Sequence, residues 1–190
     1  MPARKRPSRL DELADDYAQC HRPGAQKQLE YFRTLKTDEE AVSRAALAQL
    51  CNDKRHPHQY RIARSALEES RARLLKNLAQ LRSINSFDDL IEMVEEVSGS
   101  IPGIGELAVY DTALRIGARF GVEPRRVYLH AGTRKGAKAL GLDGNRHALE
   151  MDEFPAPLRK LKAREVEDLL CIYEDRLEQD APRKLLRCKV

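Results

Sequence analysis

The sequence predicts an all-α protein, a multi-helix bundle, on three observations. Apolar residues recur at helical spacing along most of the chain, as in Leu29, Phe32 and Leu35, or Leu90, Ile91, Val94 and Val97. Helix-start signals stand where such stripes begin: Ser8, Thr37-x-x-Glu40 and Ser86-x-x-Asp89. Strand-like sequence is confined to Val127-Tyr128-Leu129, too little to support a sheet.

The chain of 190 residues has room for one domain with a core, or one domain with appended helices. Charged residues make up 34%, against roughly 25% in an average domain, so the helices should carry solvated outer faces. Hydrophobic residues at 42% suffice for a core, which argues against global disorder. Aromatics at 5% and the absence of Trp argue against a stacking platform for single strands. The net charge of +4 is compatible with nucleic-acid contact without demonstrating it. No apolar run reaches the length of a membrane span, and no secretory core follows Met1. The expectation is a soluble intracellular protein, cytoplasmic or nucleoid-associated, with no membrane partner.

The cysteines, Cys20, Cys51, Cys171 and Cys188, are scattered and suggest neither a disulfide scaffold nor a zinc ribbon. Cys51-x4-His56-x-His58 reads as a helix end followed by a polar turn around Pro57, because metal-ligand spacings are tighter and paired. No metal and no cofactor is expected.

In chain order, residues 1–9 form a flexible basic arm with Arg4, Lys5, Arg6 and Arg9. Residues 10–82 form the N-terminal helices: one from Ser8 through Cys20, and one opening near Pro23. A third carries Val42, Ala45, Ala46 and Leu50, and a long one runs from about Gln59 to Leu81 with a charged outer face. Residues 84–142 hold a helix-hairpin-helix unit and then a basic helix. Residues 143–190 hold a loop-rich stretch, a helix from about Ala163 to Leu177 and a basic tail. The whole is expected to form one globular domain.

The most informative stretch is Ile101-Pro102-Gly103-Ile104-Gly105, between two amphipathic helices. Pro102 keeps Ile101 extended and separates the helices. Gly103 and Gly105 permit backbone angles closed to other residues and let another molecule approach the main chain. The amides that follow open a helix N-terminus, whose partial positive charge suits a phosphate. In the second helix the small residues Ala113, Gly117 and Ala118 permit close helix contact.

This stretch resembles the helix-hairpin-helix motif, whose hairpin is apolar-Pro-Gly-apolar-Gly. The resemblance implies sequence-tolerant DNA binding, with the backbone of Gly103, Ile104, Gly105 and Leu107 on a phosphate. Over residues 84–142 the chain is also similar to part of the helix-hairpin-helix base-excision DNA glycosylase domain. There a turn Asp precedes a basic helix ending in Leu-Gly. Here His130 stands at that Asp's distance from Leu140-Gly141, with Arg134 and Lys135 between. Leu107 stands where bifunctional members carry a nucleophilic Lys. The chain therefore lacks the turn Asp and the catalytic Lys of that family. A histidine cannot supply the carboxylate that an oxocarbenium-like transition state calls for.

Three readings follow. In the first, the protein binds DNA in a sequence-tolerant way, with Arg134, Lys135 and Lys138 adding backbone contacts. In the second it is a glycosylase-like repair enzyme. Asp111 or His130 would then be its catalytic residue, and Tyr110, Tyr128 and His130 would line a base pocket. In the third it is a helical protein–protein adaptor in which the hairpin is only a turn.

Overall fold

The computed structural model describes residues 8–177, so the basic tail and most of the basic arm expected from the sequence lie outside the described residues. Among the described residues the chain is predominantly helical. The helices are α1 (Arg9–Cys20), α2 (Arg22–Arg33), α3 (Asp38–Ala46), α4 (Arg64–Lys76) and α5 (Leu78–Ser83). They continue with α6 (Phe87–Ser98), α7 (Glu106–Phe120), α8 (Ala131–Ala139), α9 (Ala163–Ile172) and α10 (Glu174–Leu177). The all-α expectation holds.

The chain groups into two compact units. A continuous unit is Gln26–Pro124; a split unit runs to Ala25 and resumes at Arg125. The boundary falls inside α2 and again after Pro124. The stretch 84–142 therefore contributes its hairpin to the continuous unit and its basic helix to the split unit.

In the continuous unit, α3 packs on α4 and α7, and α6 packs on α4 and α7. Its buried side chains include Phe32, Val42, Leu74, Leu81, Leu90, Val94, Ala113 and Ile116. A Cβ at Gly117 would meet the Val122 carbonyl at 2.4 Å and the Leu90 side chain at 3.3 Å, so α7 needs glycine there to pack. Ser8, Thr37 and Ser86 each accept a hydrogen bond from the third amide of the helix that follows, as read from the sequence.

The expected long helix from Gln59 to Leu81 is interrupted. Residues 57–59 make a single 3-10 turn, α4 begins only at Arg64, and Asn77 separates it from α5. The Asn77 side chain donates to the Arg73 carbonyl at 2.9 Å, a local bond that competes with helix continuation. Leu50 falls outside α3 because Ala48 adopts a left-handed φ of 52°. The final helix likewise splits at Tyr173, between α9 and α10.

In the split unit α8 and α9 cross closely, because a Cβ at Gly136 would meet the Leu170 carbonyl at 2.6 Å. Helix α1 is joined to α9 and to Tyr173 at its end by two bonds. Tyr17 donates to Asp168 at 2.8 Å, and Tyr173 donates to Asp16 at 2.6 Å. Burial and the facing carboxylates raise both phenol pKa values, which keeps the donors protonated. The stretch 141–157, read from the sequence as a loop, carries β2 (Ala148–Leu149). It pairs antiparallel with β1 (Val127–Tyr128), in register Val127 with Leu149. The apolar pattern is too short to announce a two-residue ladder.

Asp38 joins three parts of the continuous unit. At the first position of α3, it accepts from Arg119 of α7 at 2.7 Å and from Arg82 of α5 at 2.7 Å. These hydrogen bonds, Arg119 first, hold its carboxyl below the ordinary value of 3.8. A depressed carboxyl stabilises the fold above the unfolded pKa and loses that contribution as pH falls through the folded one. Asp38→Asn should therefore cost about 1 kcal/mol near neutral pH, discounted for partial exposure. Urea melts as a function of pH should show the deficit shrinking below about pH 4.

Candidate nucleic-acid interface

The hairpin is built from below by two isoleucines. Ile101 and Ile104 are buried, 2% and 9% exposed, while Pro102, Gly103, Gly105 and Glu106 face solvent. The Ile104 amide donates to the Ile101 carbonyl at 3.0 Å, closing a four-residue turn. Proline at its second position and Gly103 at its third, with φ of 92°, make this a type II turn. Gly103 is therefore demanded by the backbone angle.

Gly105 is not. It sits at the N-cap of α7 with φ of −103° and ψ of 178°, an extended conformation open to any residue. A Cβ there would have nothing within 4 Å. Ser, Thr, Asp or Asn would cap the helix through its side chain, and glycine gives that up. The start of a 15-residue helix is thus left without a side-chain cap, beside the exposed Pro102–Gly103 turn. Leu107 is half-buried.

Arg73, read from the sequence as part of a solvated face, belongs to this corner. It donates to the Val97 carbonyl at 3.2 Å and to Ser100 Oγ at 3.0 Å, next to Ile101, and pairs with Glu69. It braces the end of α6 beside the hairpin, its charge met by Glu69. Its only signal in the sequence was its place on the charged face of α4, which does not distinguish it from Lys76 or Arg71.

The other candidates are distributed as follows. Tyr110 is buried in the continuous unit with its ring edge-on to Phe87. Tyr128 is buried in the split unit, edge-on to His147 with Arg126 over its ring. Asp111 accepts from Arg115 at 3.0 Å. Arg115 is itself buried and donates to Gln59 Oε1 at 3.1 Å, so Asp111 balances the charge of a core arginine. His130 opens α8 and is 3% exposed; its Nε2 lies 2.5 Å from Glu167 Oε1, and Glu167 is 4% exposed. Glu167 is thus the carboxylate nearest this position, one the sequence reading missed. Its signal was a glutamate one turn before Leu170, on the side of α9 that packs.

On α8 the basic residues differ. Arg134 donates to the Gly144 and Arg146 carbonyls at 3.3 and 3.0 Å, and Lys135 pairs with Glu174 at 3.6 Å. Lys138 is exposed and forms no ion pair among the described residues. Burial lowers the pKa of His56, which favours a neutral ring. Among the described residues no group of three or more His, Cys, Asp or Glu side chains is placed to hold a metal ion. Nor is any helix among them long and apolar enough to cross a membrane.

Comparison of the chain with known protein families, with curated proteins and with solved structures finds no match.

The His130–Glu167 pair ties α8 to α9. Glu167→Ala removes the partner of a buried ring and should destabilise the protein by about 1–3 kcal/mol, whereas Glu167→Gln should cost less. Chemical denaturation of the two variants beside the wild type measures the difference.

Proposed function

We propose that this protein binds DNA by its phosphate backbone, without reading sequence, through the Ile101–Gly105 hairpin and the first turn of α7. One observation carries the proposal. Gly105 occupies a position where the fold asks for no glycine and a capping residue would serve the helix better. What glycine supplies there is room for an outside group to come within hydrogen-bond distance of the main chain. A phosphate oxygen matches such amides in charge and in acceptor capacity, and the helix dipole adds to the attraction. Contacts of this kind fix position and affinity but carry no base information.

Glu106, exposed in the first turn of α7, opposes an anion at this place. Its presence tunes the affinity down and gives the reading a directional test. Lys138, in the split unit, is proposed as a separate backbone contact. The proposal stops at binding: Asp111 is engaged by Arg115, and Glu167 is buried against His130.

Gly105→Leu places a side chain where nothing else contacts it, so the protein should fold normally. Its affinity for duplexes of any sequence should drop about tenfold or more, the equivalent of one or two charge-assisted hydrogen bonds. Glu106→Gln should bind more tightly than the wild type. Lys138→Glu should reduce the slope of log affinity against log salt by about one. Anisotropy titrations at several salt concentrations check all three. A folded Gly105→Leu variant that binds as well as the wild type contradicts the proposal.

A further inference from the structure

The α3–α4 connection, residues 47–63, carries features that the hairpin does not use. Ala48 and Asp53 hold left-handed backbone, φ of 52° and 60°, without being glycine. Such strain in L residues persists only where surrounding bonds impose it. Here they do. The Leu50 amide donates to the Lys54 carbonyl and the His56 amide to the Ala48 carbonyl, both at 2.8 Å. Arg55 donates to the Ile62 carbonyl at 2.8 Å, and Arg44 binds Asp53 at 2.6 Å. Gln59 accepts from the buried Arg115 of α7 at 3.1 Å, which docks the connection on that helix.

At the outer end of this fixed loop stands Tyr60, 61% exposed. Among the described residues only Tyr60 and Ile172 are large hydrophobics left so open to water. Beside Tyr60 in the chain are His58 and Arg61, and Lys54 lies earlier in the loop. All three are exposed, and none forms an ion pair among the described residues. A single surface tyrosine is ordinary. Arg61 follows it directly and Lys54 shares its loop, and two exposed cations that form no ion pair among the described residues favour a polyanion over a neutral surface. The ring offers a π face to a base, and the cations match the phosphates on either side.

We propose that Tyr60 stacks on an unpaired base, with Lys54 and Arg61 on the adjoining phosphates. The preferred ligand is then DNA with at least one unstacked base, as at a gap, a bulge or a mispair. The inference rests on the hairpin reading above. A fully paired duplex hides its base faces and gives Tyr60 nothing to stack on, and one exposed ring serves one base, not a run of single strand.

The test uses the full chain and two labelled duplexes of one sequence, one fully paired and one with a single bulged nucleotide. Affinities are measured by anisotropy for the wild type, Tyr60→Ala, Tyr60→Phe and Gly105→Leu. The wild type should prefer the bulged probe. Tyr60→Ala should lose about 5- to 100-fold on that probe, the usual range for one stacking contact, and little on the paired one. Tyr60→Phe, which keeps the ring, should retain the preference. Gly105→Leu should weaken binding to both probes. If Tyr60→Ala binds both probes like the wild type, or loses equally on both, while Gly105→Leu weakens both, stacking is overturned and the hairpin reading survives. If the wild type binds neither probe, both fall.

Discussion

Two buried isoleucines decide what the hairpin can present. With Ile101 and Ile104 drawn into the core, the residues between and after them are forced outward, and those residues are proline and glycine. The crest therefore shows main chain where most loops show side chains. Its shape comes from the type II turn, which only Gly103 permits at its third position. The depth of the α6–α7 contact comes from Gly117. These are packing constraints, and the exposed Pro102–Gly103 turn is their consequence. Gly105 alone stands outside this accounting, and for that reason it carries the functional argument.

Elsewhere the charged residues that the composition promised are largely spent inside the fold. Asp111 neutralises Arg115, Arg22 pairs with Glu165 at 2.9 Å, His130 meets Glu167, and Asp38 gathers Arg82 and Arg119. Breaking a buried pair, such as Arg115 with Asp111, is costly because one partner is left desolvated. This accounts for the position of the catalytic candidates: the carboxylate and the histidine singled out from sequence are each occupied by a structural partner. Lys54, Arg61 and Lys138 remain exposed and form no ion pair among the described residues.

Much of this was legible in the sequence where local physics acts alone. The caps at Ser8, Thr37 and Ser86, the stripe of α6, and the Pro-Gly hairpin each follow from residues within a few positions of one another. The same reasoning misjudged places where a local bond or a distant partner decides. Asn77 breaks a helix that its periodicity continues, and Ala48 ends another by taking a left-handed angle that alanine rarely adopts. The β1–β2 ladder joins residues about twenty apart through two residues each, too brief for a pattern. Glu167 and Arg73 were hidden because a charged residue on a helix reads as solvated until its partner across the fold is known. Tyr60 was hidden for the opposite reason, since an aromatic residue ordinarily reads as core.

The central claim is that hairpin amides, not side chains, hold the phosphate. An amide nitrogen–proton NMR titration of the full chain with a short DNA duplex tests it most directly. The account requires that the signals of Gly103, Gly105 and Leu107 shift as duplex is added and return as salt is raised, while the Ile104 amide stays bonded to the Ile101 carbonyl. Binding that leaves those signals unmoved, or no binding at low salt, contradicts it.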